Sequence, residues 1–307
     1  MDDVSPASKA SPQLVTFDAI MPAAMAARAA EAGITKASTD PLTVLVLAIL
    51  AGAFIAFGAV FATTVSAGSI AVAAADGTSA FSTGLPYGVV RLLTGLVFSL
   101  GIMLVVVGGA ELFTGNNLVV MAWASGSVNT RDLVLNWSVA FVGNFIGAFI
   151  TAGLMFLSTQ YTFGEGAVGL AALTTANTKA SLAFLPAVIL GIMCNSLVCL
   201  AVWMCYGART TVDRVVTVVP PITAFVAAGF EHSIANIYFI PMGLFIKAGA
   251  PDAFWASVGK SVSDFPALTW TNFLIGNLLP VTVGNLIGGS FMVAAVYWFI
   301  YLREKAA

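Results

Sequence analysis

The chain is short of charged residues and contains a single histidine. Only 8% of its 307 residues are charged and 59% are hydrophobic, whereas an ordinary soluble domain carries about 25% charged residues. Its mean hydropathy is +0.98. This composition excludes a soluble globular chain and indicates a protein embedded in a lipid bilayer.

Cysteine is also scarce, and the three cysteines Cys194, Cys199 and Cys205 lie on one apolar run. On a helix, Cys194 and Cys199 point about 140° apart and Cys205 lies about 16 Å from Cys194 along the axis. The three cannot bind one metal ion or form a disulfide framework. With one histidine and no His-Glu-x-x-His motif, zinc or haem chemistry lacks its ligands. We expect no metal, no cofactor and no enzymatic activity.

The hydrophobic residues fall into long runs. A membrane-spanning helix needs about 20 mostly apolar residues. Six runs reach this length, at about 42–67, 86–124, 132–157, 183–206, 215–248 and 270–302. We interpret 41–302 as a six-helix transmembrane domain followed by a cytoplasmic tail at 303–307. The first residues lack the charged segment and cleavage site of a signal peptide, so we expect none to be removed.

The residues before the first run, 1–40, are interpreted as a cytoplasmic N-terminal segment. Within it, Phe17–Ala37 predicts an amphipathic helix. This helix ends near Asp40 and Pro41, because the residue before a proline is disfavoured in a helix. Its role would be a gate, an assembly arm or simply a surface helix.

The placement of lysine and arginine predicts the topology. With both termini in the cytoplasm, eight of these residues lie in cytoplasmic segments and four in outer segments. Excess positive charge on the cytoplasmic side is the usual pattern. The cytoplasmic set is Lys9, Arg28, Lys36, Arg131, Arg209, Arg214, Arg303 and Lys305, and the outer set is Arg91, Lys179, Lys247 and Lys260.

Two motifs occur twice, in the same order. The pattern Gly-x-Glu-x-x-x-small-Asn occurs at Gly109–Asn116 and again at Gly229–Asn236, within the second and fifth runs. Those runs are too long and too polar for one ordinary span, so we expect both helices to be broken. Val142–Gly147 is echoed by Val283–Gly288. An all-α inverted repeat of three plus three helices is predicted, because an odd number of crossings reverses the second unit.

Glu231 and His232 stand together in the second copy of this motif. Ionisable residues at membrane depth are costly and usually face a pathway. On a helix the two side chains diverge by about 100°, so they need not pair. One can face a pore while the other holds the broken segment, although a neutral histidine packed inside the bundle is the alternative.

The combination of these motifs resembles the formate/nitrite transporter family, over about residues 17–304. Within it, the segments Phe239–Gly243 and Tyr297–Glu304 are most similar to the bacterial formate channels. The motifs that carry the resemblance are Gly109–Gly115, Asn136 with Trp137, Gly143 with Asn144, Asn195 with Val198–Met204, Gly229–Asn236 and Pro280–Asn285.

The resemblance implies a homopentamer of aquaporin-like protomers in the bacterial inner membrane, each with its own pore. It implies that Thr114, at the first break, lies close to His232. It also implies that Asn195 and Glu231 stabilise the surroundings of the histidine and that Lys179 draws anions into the outer vestibule. The constrictions would be formed by Phe98, Ile102, Leu112, Phe113, Val198 and Phe225, although ordinary core packing explains these apolar residues as well.

Formate is the substrate that this resemblance implies, passing passively near neutral pH and together with protons at acidic pH. With a reference pKa of about 6.5, an imidazole can hydrogen-bond the anion or give it a proton. Nitrite or hydrosulfide is the alternative, since Gly115-Asn116-Asn117 is also compatible with nitrite-type relatives. A water or glycerol channel is disfavoured because paired Asn-Pro-Ala motifs are absent. We expect no nucleic acid partner.

Overall fold

The computed structural model describes residues 20–67 and 85–303, and within these ranges the chain is helical and has no strand. The predicted tail residues 304–307 and the start of the N-terminal segment, 1–19, lie outside the described residues. The helices are α1 (Pro22–Ser38), α2 (Pro41–Ala67), α3 (Tyr87–Gly108), α4 (Val120–Ala124), α5 (Thr130–Leu157), α6 (Ala167–Ala180), α7 (Phe184–Cys205), α8 (Thr211–Ala228), α9 (Ser233–Gly249), α10 (Asp252–Val258) and α11 (Asn272–Tyr301).

Six of the described helices are long and apolar enough to cross a membrane, namely α2, α3, α5, α7, α8 and α11. The prediction of an all-helical chain with six membrane-spanning helices is confirmed. Because these helices are long and apolar enough to cross a bilayer, the polypeptide is a multi-pass membrane protein.

The predicted runs 86–124 and 215–248 are each longer than the helix that they contain. Helix α3 ends at Gly108 and α8 at Ala228, because Gly109 and Gly229 adopt left-handed φ angles of 74° and 78° that terminate an α-helix. The non-helical residues that follow are called the first break (109–114) and the second break (229–232). After them the chain resumes as a 3-10 turn at Gly115–Val119 and as helix α9.

The short helices α6 and α10 were not predicted from the sequence. Helix α6 has 14 residues, fewer than the roughly 20 that a search for spans requires. Among the described residues helix α1 begins at Pro22, and its predicted start at Phe17 lies outside them. Proline suits the first helical turn because it has no amide hydrogen to leave unpaired.

Glycines let pairs of helices approach until their backbones touch. Gly147 of α5 faces the backbone of Ile49 and Ala53 in α2, and Gly284 of α11 faces the backbone of Val188 and Ile192 in α7. A Cβ at either glycine would overlap a carbonyl oxygen of the opposite helix. Close packing of this kind is typical of membrane helices, where apolar burial does not drive association.

We predict that Gly284→Ala destabilises the protein, whereas Gly88→Ala does not. The added methyl group would press on the backbone of α7 at Gly284 but meets nothing within 4 Å at Gly88. Overpacking costs about 1–3 kcal/mol, while alanine in an exposed helix is favoured over glycine. Thermal unfolding in detergent, followed by fluorescence-detected gel filtration, measures both. Equal melting temperatures for the two variants would contradict the packing argument.

Candidate functional site

Two cavities approach each other from opposite ends of the helix bundle. The larger has a volume of about 480 Å³ and is called the Lys179 cavity; its wall includes Arg91, Phe98, Lys179, Phe225, Glu231 and His232. The smaller has a volume of about 260 Å³ and is called the Lys36 cavity; its wall includes Lys36, Ile102, Glu111, Leu112, Asn116 and Arg214. They share no lining residue. Residues of the second break lie on the wall of the Lys179 cavity, and residues of the first break lie on the wall of the Lys36 cavity.

The two breaks meet where Thr114 contacts His232. The His232 Nε2 atom lies 3.0 Å from the Thr114 hydroxyl oxygen, and both residues are buried. The other ring nitrogen, Nδ1, accepts the amide N–H of Ala235 at 3.1 Å and so caps the first turn of α9. Because an accepting Nδ1 carries no proton, the neutral ring holds its proton on Nε2 and donates it to Thr114.

Glu231 does not hydrogen-bond its neighbour His232. Its carboxylate accepts from the Lys179 Nζ at 2.7 Å and from the Asn236 amide at 2.6 Å, with Asn277 at 3.3 Å. Only 5% of the Glu231 side chain and 16% of that of Lys179 are exposed. A buried carboxylate is tolerated when a cation and further donors surround it, and this one has both.

Glu111 at the first break likewise pairs with a lysine and an asparagine, without a second asparagine donor among the described residues. It accepts from the Lys36 Nζ at 2.6 Å and from the Asn116 amide at 2.7 Å. Asn116 also donates to Asn136, as Asn236 does to Asn277. Sequence reasoning missed Lys36, although the repeated Gly-x-Glu motif implied that a second buried acid would need a cation.

Asn144 and Asn285 fasten the two breaks to the neighbouring helices. The Asn144 amide donates to the carbonyls of Ala48 and Glu111, and its oxygen accepts from the Phe113 amide at 2.8 Å. Asn285 repeats this with the carbonyls of Gly191 and Glu231 and the amide of Ser233. Those three distances lie between 2.9 and 3.0 Å. Each side chain thus satisfies backbone groups that the helix breaks leave unpaired.

Asn195 contacts the backbone of Thr114 rather than the histidine itself. Its amide lies 3.3 Å from the Thr114 carbonyl, 3.0 Å from the Asn117 side-chain oxygen and 2.7 Å from the Asn285 carbonyl. The buried Cys199 thiol contacts the same Thr114 carbonyl. Asn195 therefore holds the first break in place beside α11.

The six residues predicted to form constrictions fall into three groups. Phe98 and Phe225 line the Lys179 cavity with their ring centroids 5.7 Å apart, and the Phe225 ring stacks on His232 at 6.0 Å. Ile102 and Leu112 line the Lys36 cavity. Phe113 and Val198 are buried and line neither cavity. Apolar side chains therefore line both cavities, with aromatic rings in the Lys179 cavity and aliphatic side chains in the Lys36 cavity.

Over residues 20–67 and 85–303, no group of three or more His, Cys, Asp or Glu side chains could hold a metal ion. Tyr206 lies on the wall of the Lys36 cavity. Burial raises the pKa of Tyr206 well above its ordinary value, so this wall stays uncharged at that residue.

These features define a multi-pass helical membrane protein whose polar centre lies between two cavities. The sequence profile described as Formate/nitrite transporter matches residues 23–299. The chain belongs to this family, which consists of transporters rather than enzymes, as predicted from the sequence.

Similarity to individual proteins extends over most of the chain. The chain is 46% identical to the formate channel FocA of Escherichia coli (strain K12) over 94% of its length and 97% of the relative. With FocA of Haemophilus influenzae it shares 38% identity over 84% and 86%. A solved structure described as a pentameric formate channel with formate bound has 42% identity and a TM-score of 0.78, over 86% of this chain and 98% of the other.

We predict that Lys179→Met destabilises the protein more than the double variant Lys179→Met/Glu231→Gln does. Removing the lysine alone leaves a buried carboxylate without its cation, which typically costs about 3–5 kcal/mol, whereas neutralising both partners costs less. Thermal unfolding in detergent of the two single variants and the double variant forms the cycle. Lys260→Met, at an exposed position, is the control. Additive effects of the two single changes would contradict a coupled pair.

Proposed function

We propose that this protein is a membrane channel for formate and similar small monovalent anions. The observation that carries the proposal is the similarity to proteins named formate channels over nearly the whole chain. The central site supports it, because its described polar groups offer N–H and O–H donors to an anion and no metal-binding cluster. Nitrite and hydrosulfide stay as alternative substrates of the same fold.

We further propose that the fold is an aquaporin-like inverted repeat with its second and fifth helices broken. The matched bonds support this: each break has a glutamate, a lysine and two asparagines in equivalent contacts. The lysines belong to α1 and α6, so these two short helices are equivalents. The N-terminal segment would then supply part of the first unit rather than a separate domain.

The same proposal places the protein in the bacterial inner membrane with both termini in the cytoplasm. The Lys179 cavity then opens outward and the Lys36 cavity inward. The positive-inside rule supports this orientation. A homopentamer with a pore in each protomer is proposed from the similarity to the solved structure described as pentameric.

An anion entering from outside would meet Lys179, then the rings of Phe98 and Phe225, and then His232. The apolar rings exclude hydrated ions, because a bare charge is costly in a greasy constriction. At that point the Nε2–H of His232 can donate to the anion instead of to Thr114. The Thr114 hydroxyl can then donate as well. The neutral histidine thus serves as a donor that needs no change of charge near pH 7.

Proton coupling at acidic pH would involve the other ring nitrogen. A second ring proton must go onto Nδ1, which already accepts the amide N–H of Ala235. Charging the ring therefore breaks the cap at the start of α9 and places a cation at the positive end of that helix. In this scheme, a proton from water adds to Nδ1, the Nε2 proton then passes to formate and gives neutral formic acid, and the ring keeps one proton on Nδ1. The starting ring is restored when Nε2 takes up a proton and Nδ1 releases one.

The first experiment measures flux into liposomes that contain the purified protein. We expect formate to enter along its gradient faster than into empty liposomes, and sulfate to be excluded because it is doubly charged. Nitrite and hydrosulfide at equal gradients rank the alternatives. Formate flux no faster than in empty liposomes would contradict the proposed function, and a higher rate for nitrite would replace formate as the substrate.

We predict that His232→Asn abolishes the response of transport to pH while leaving a pore. Asparagine can still cap α9 through its side-chain oxygen, but it does not titrate between pH 5 and 7. In the parent, lowering the external pH from about 7 to about 5 should change formate uptake and carry protons inward, because the larger proton gradient drives the proposed transfer through the His232 ring. The variant should show neither effect.

Two controls accompany the His232 experiment. Native mass measurement in detergent must give the same assembly for parent and variant, and five copies of the 31.6 kDa chain are expected. Proton uptake is followed with a dye inside the liposomes. If an assembled His232→Asn variant kept the parent's pH response and proton uptake, histidine would be structural and protonation would occur elsewhere.

A further inference from the structure

The Lys179 cavity contains a second cation, Arg91 of α3. Among the described residues, the ion pairs are Lys36 with Glu111 and Lys179 with Glu231, so Arg91 has no carboxylate in contact. Glu231 offsets the charge of Lys179. Of the described residues on this cavity wall, Arg91 therefore supplies the net positive charge.

Arg91 is held at the end of helix α8. Its Nε donates to the Ala227 carbonyl at 3.1 Å, and its Nη2 donates to the Val226 carbonyl. The last carbonyls of a helix have no partner further along it and form the negative end of the helix dipole. Uncovered beside the cavity, these oxygens would repel an anion and attract cations. By donating to these carbonyls, Arg91 covers their oxygens and places a cation at this point of the cavity wall.

The guanidinium has capacity left for a ligand. Arginine carries five N–H donors, and the hydrogen bonds to α8 use two of its three nitrogens. A planar guanidinium matches the two oxygens of a carboxylate better than the ammonium of lysine does. Formate is the smallest carboxylate, and nitrite presents a similar pair of oxygens.

We propose that Arg91 binds the incoming anion in the Lys179 cavity and makes this entrance selective for anions over cations. The inference rests on the proposed anion-channel function. It also marks a difference between the two breaks. The carbonyls of Val106 and Val107, at the equivalent end of α3, receive no side-chain hydrogen bond from the part of the chain that the structure describes.

The test is ion conductance of the purified protein in a planar bilayer with a potassium formate gradient. At about 0.1 M salt, where charges act over about 10 Å, we expect Arg91→Gln to lower formate conductance about fivefold. Its reversal potential should shift toward that of potassium. At about 1 M salt, where screening limits the range to about 3 Å, the loss of conductance should nearly vanish.

Two further variants separate charge from structure. Arg91→Lys keeps the charge but not the planar pair of donors, so it should retain anion selectivity at low salt with a conductance between those of the parent and Arg91→Gln. Lys260→Gln removes one charge from an exposed position that does not line the cavity, and it should match the parent. Gel filtration in detergent checks that all variants assemble equally.

Several outcomes would overturn the proposal. One is an Arg91→Gln variant with the parent's conductance and selectivity at low salt. Another is an equal loss in Arg91→Lys and Arg91→Gln, since the defect would then come from the end of α8 rather than from the charge. A parent that conducts no formate contradicts the proposed function and the Arg91 assignment with it, whereas a conducting parent with an indifferent Arg91→Gln contradicts only the assignment.

Discussion

The fold depends on satisfying the backbone groups of the non-helical residues 109–114 and 229–232, which follow the ends of α3 and α8. Hydrocarbon offers no hydrogen bonds, so irregular backbone persists at this depth only where protein or a water-filled cavity supplies partners. Asn144 and Asn285 supply them, each joining a break to the helix behind it through three bonds. The close helix contacts at Gly147 and Gly284 bring those asparagines near enough to reach the breaks.

Satisfying the backbone in this way also shapes the polar centre. The breaks place Thr114 against His232 and leave the buried acids Glu111 and Glu231 beside them, each neutralised by a lysine. The described centre therefore has hydrogen-bond donors at its middle and little net charge. We interpret this as suited to an anion that must enter, lose water and leave without being trapped.

Much of this could be predicted from the sequence. Long apolar runs predicted the six spans, and the repeated Gly-x-Glu motif begins where helices α3 and α8 end. Periodicity and motif spacing carry such information because they act over one helix. That Thr114 lies close to His232 was predicted from the family resemblance and not from motif spacing.

Other features could not be predicted, for identifiable reasons. Helix α6 is too short to register as a span, and the partner of Glu231 lies on it, 52 residues away in sequence. The role of Arg91 depends on which carbonyls it reaches 135 and 136 residues later. A lysine or arginine in the sequence does not indicate which residue it contacts. Both residues are common at membrane interfaces, where their positions predict only the orientation of the chain.

The order of the paired charges along the chain has a consequence for biosynthesis. Lys36 precedes Glu111, and Lys179 precedes Glu231. Because a polypeptide is synthesised from its N-terminus onward, each lysine has already been synthesised when the glutamate that pairs with it enters the bilayer. Neither carboxylate therefore enters the membrane before the lysine that neutralises it has been synthesised.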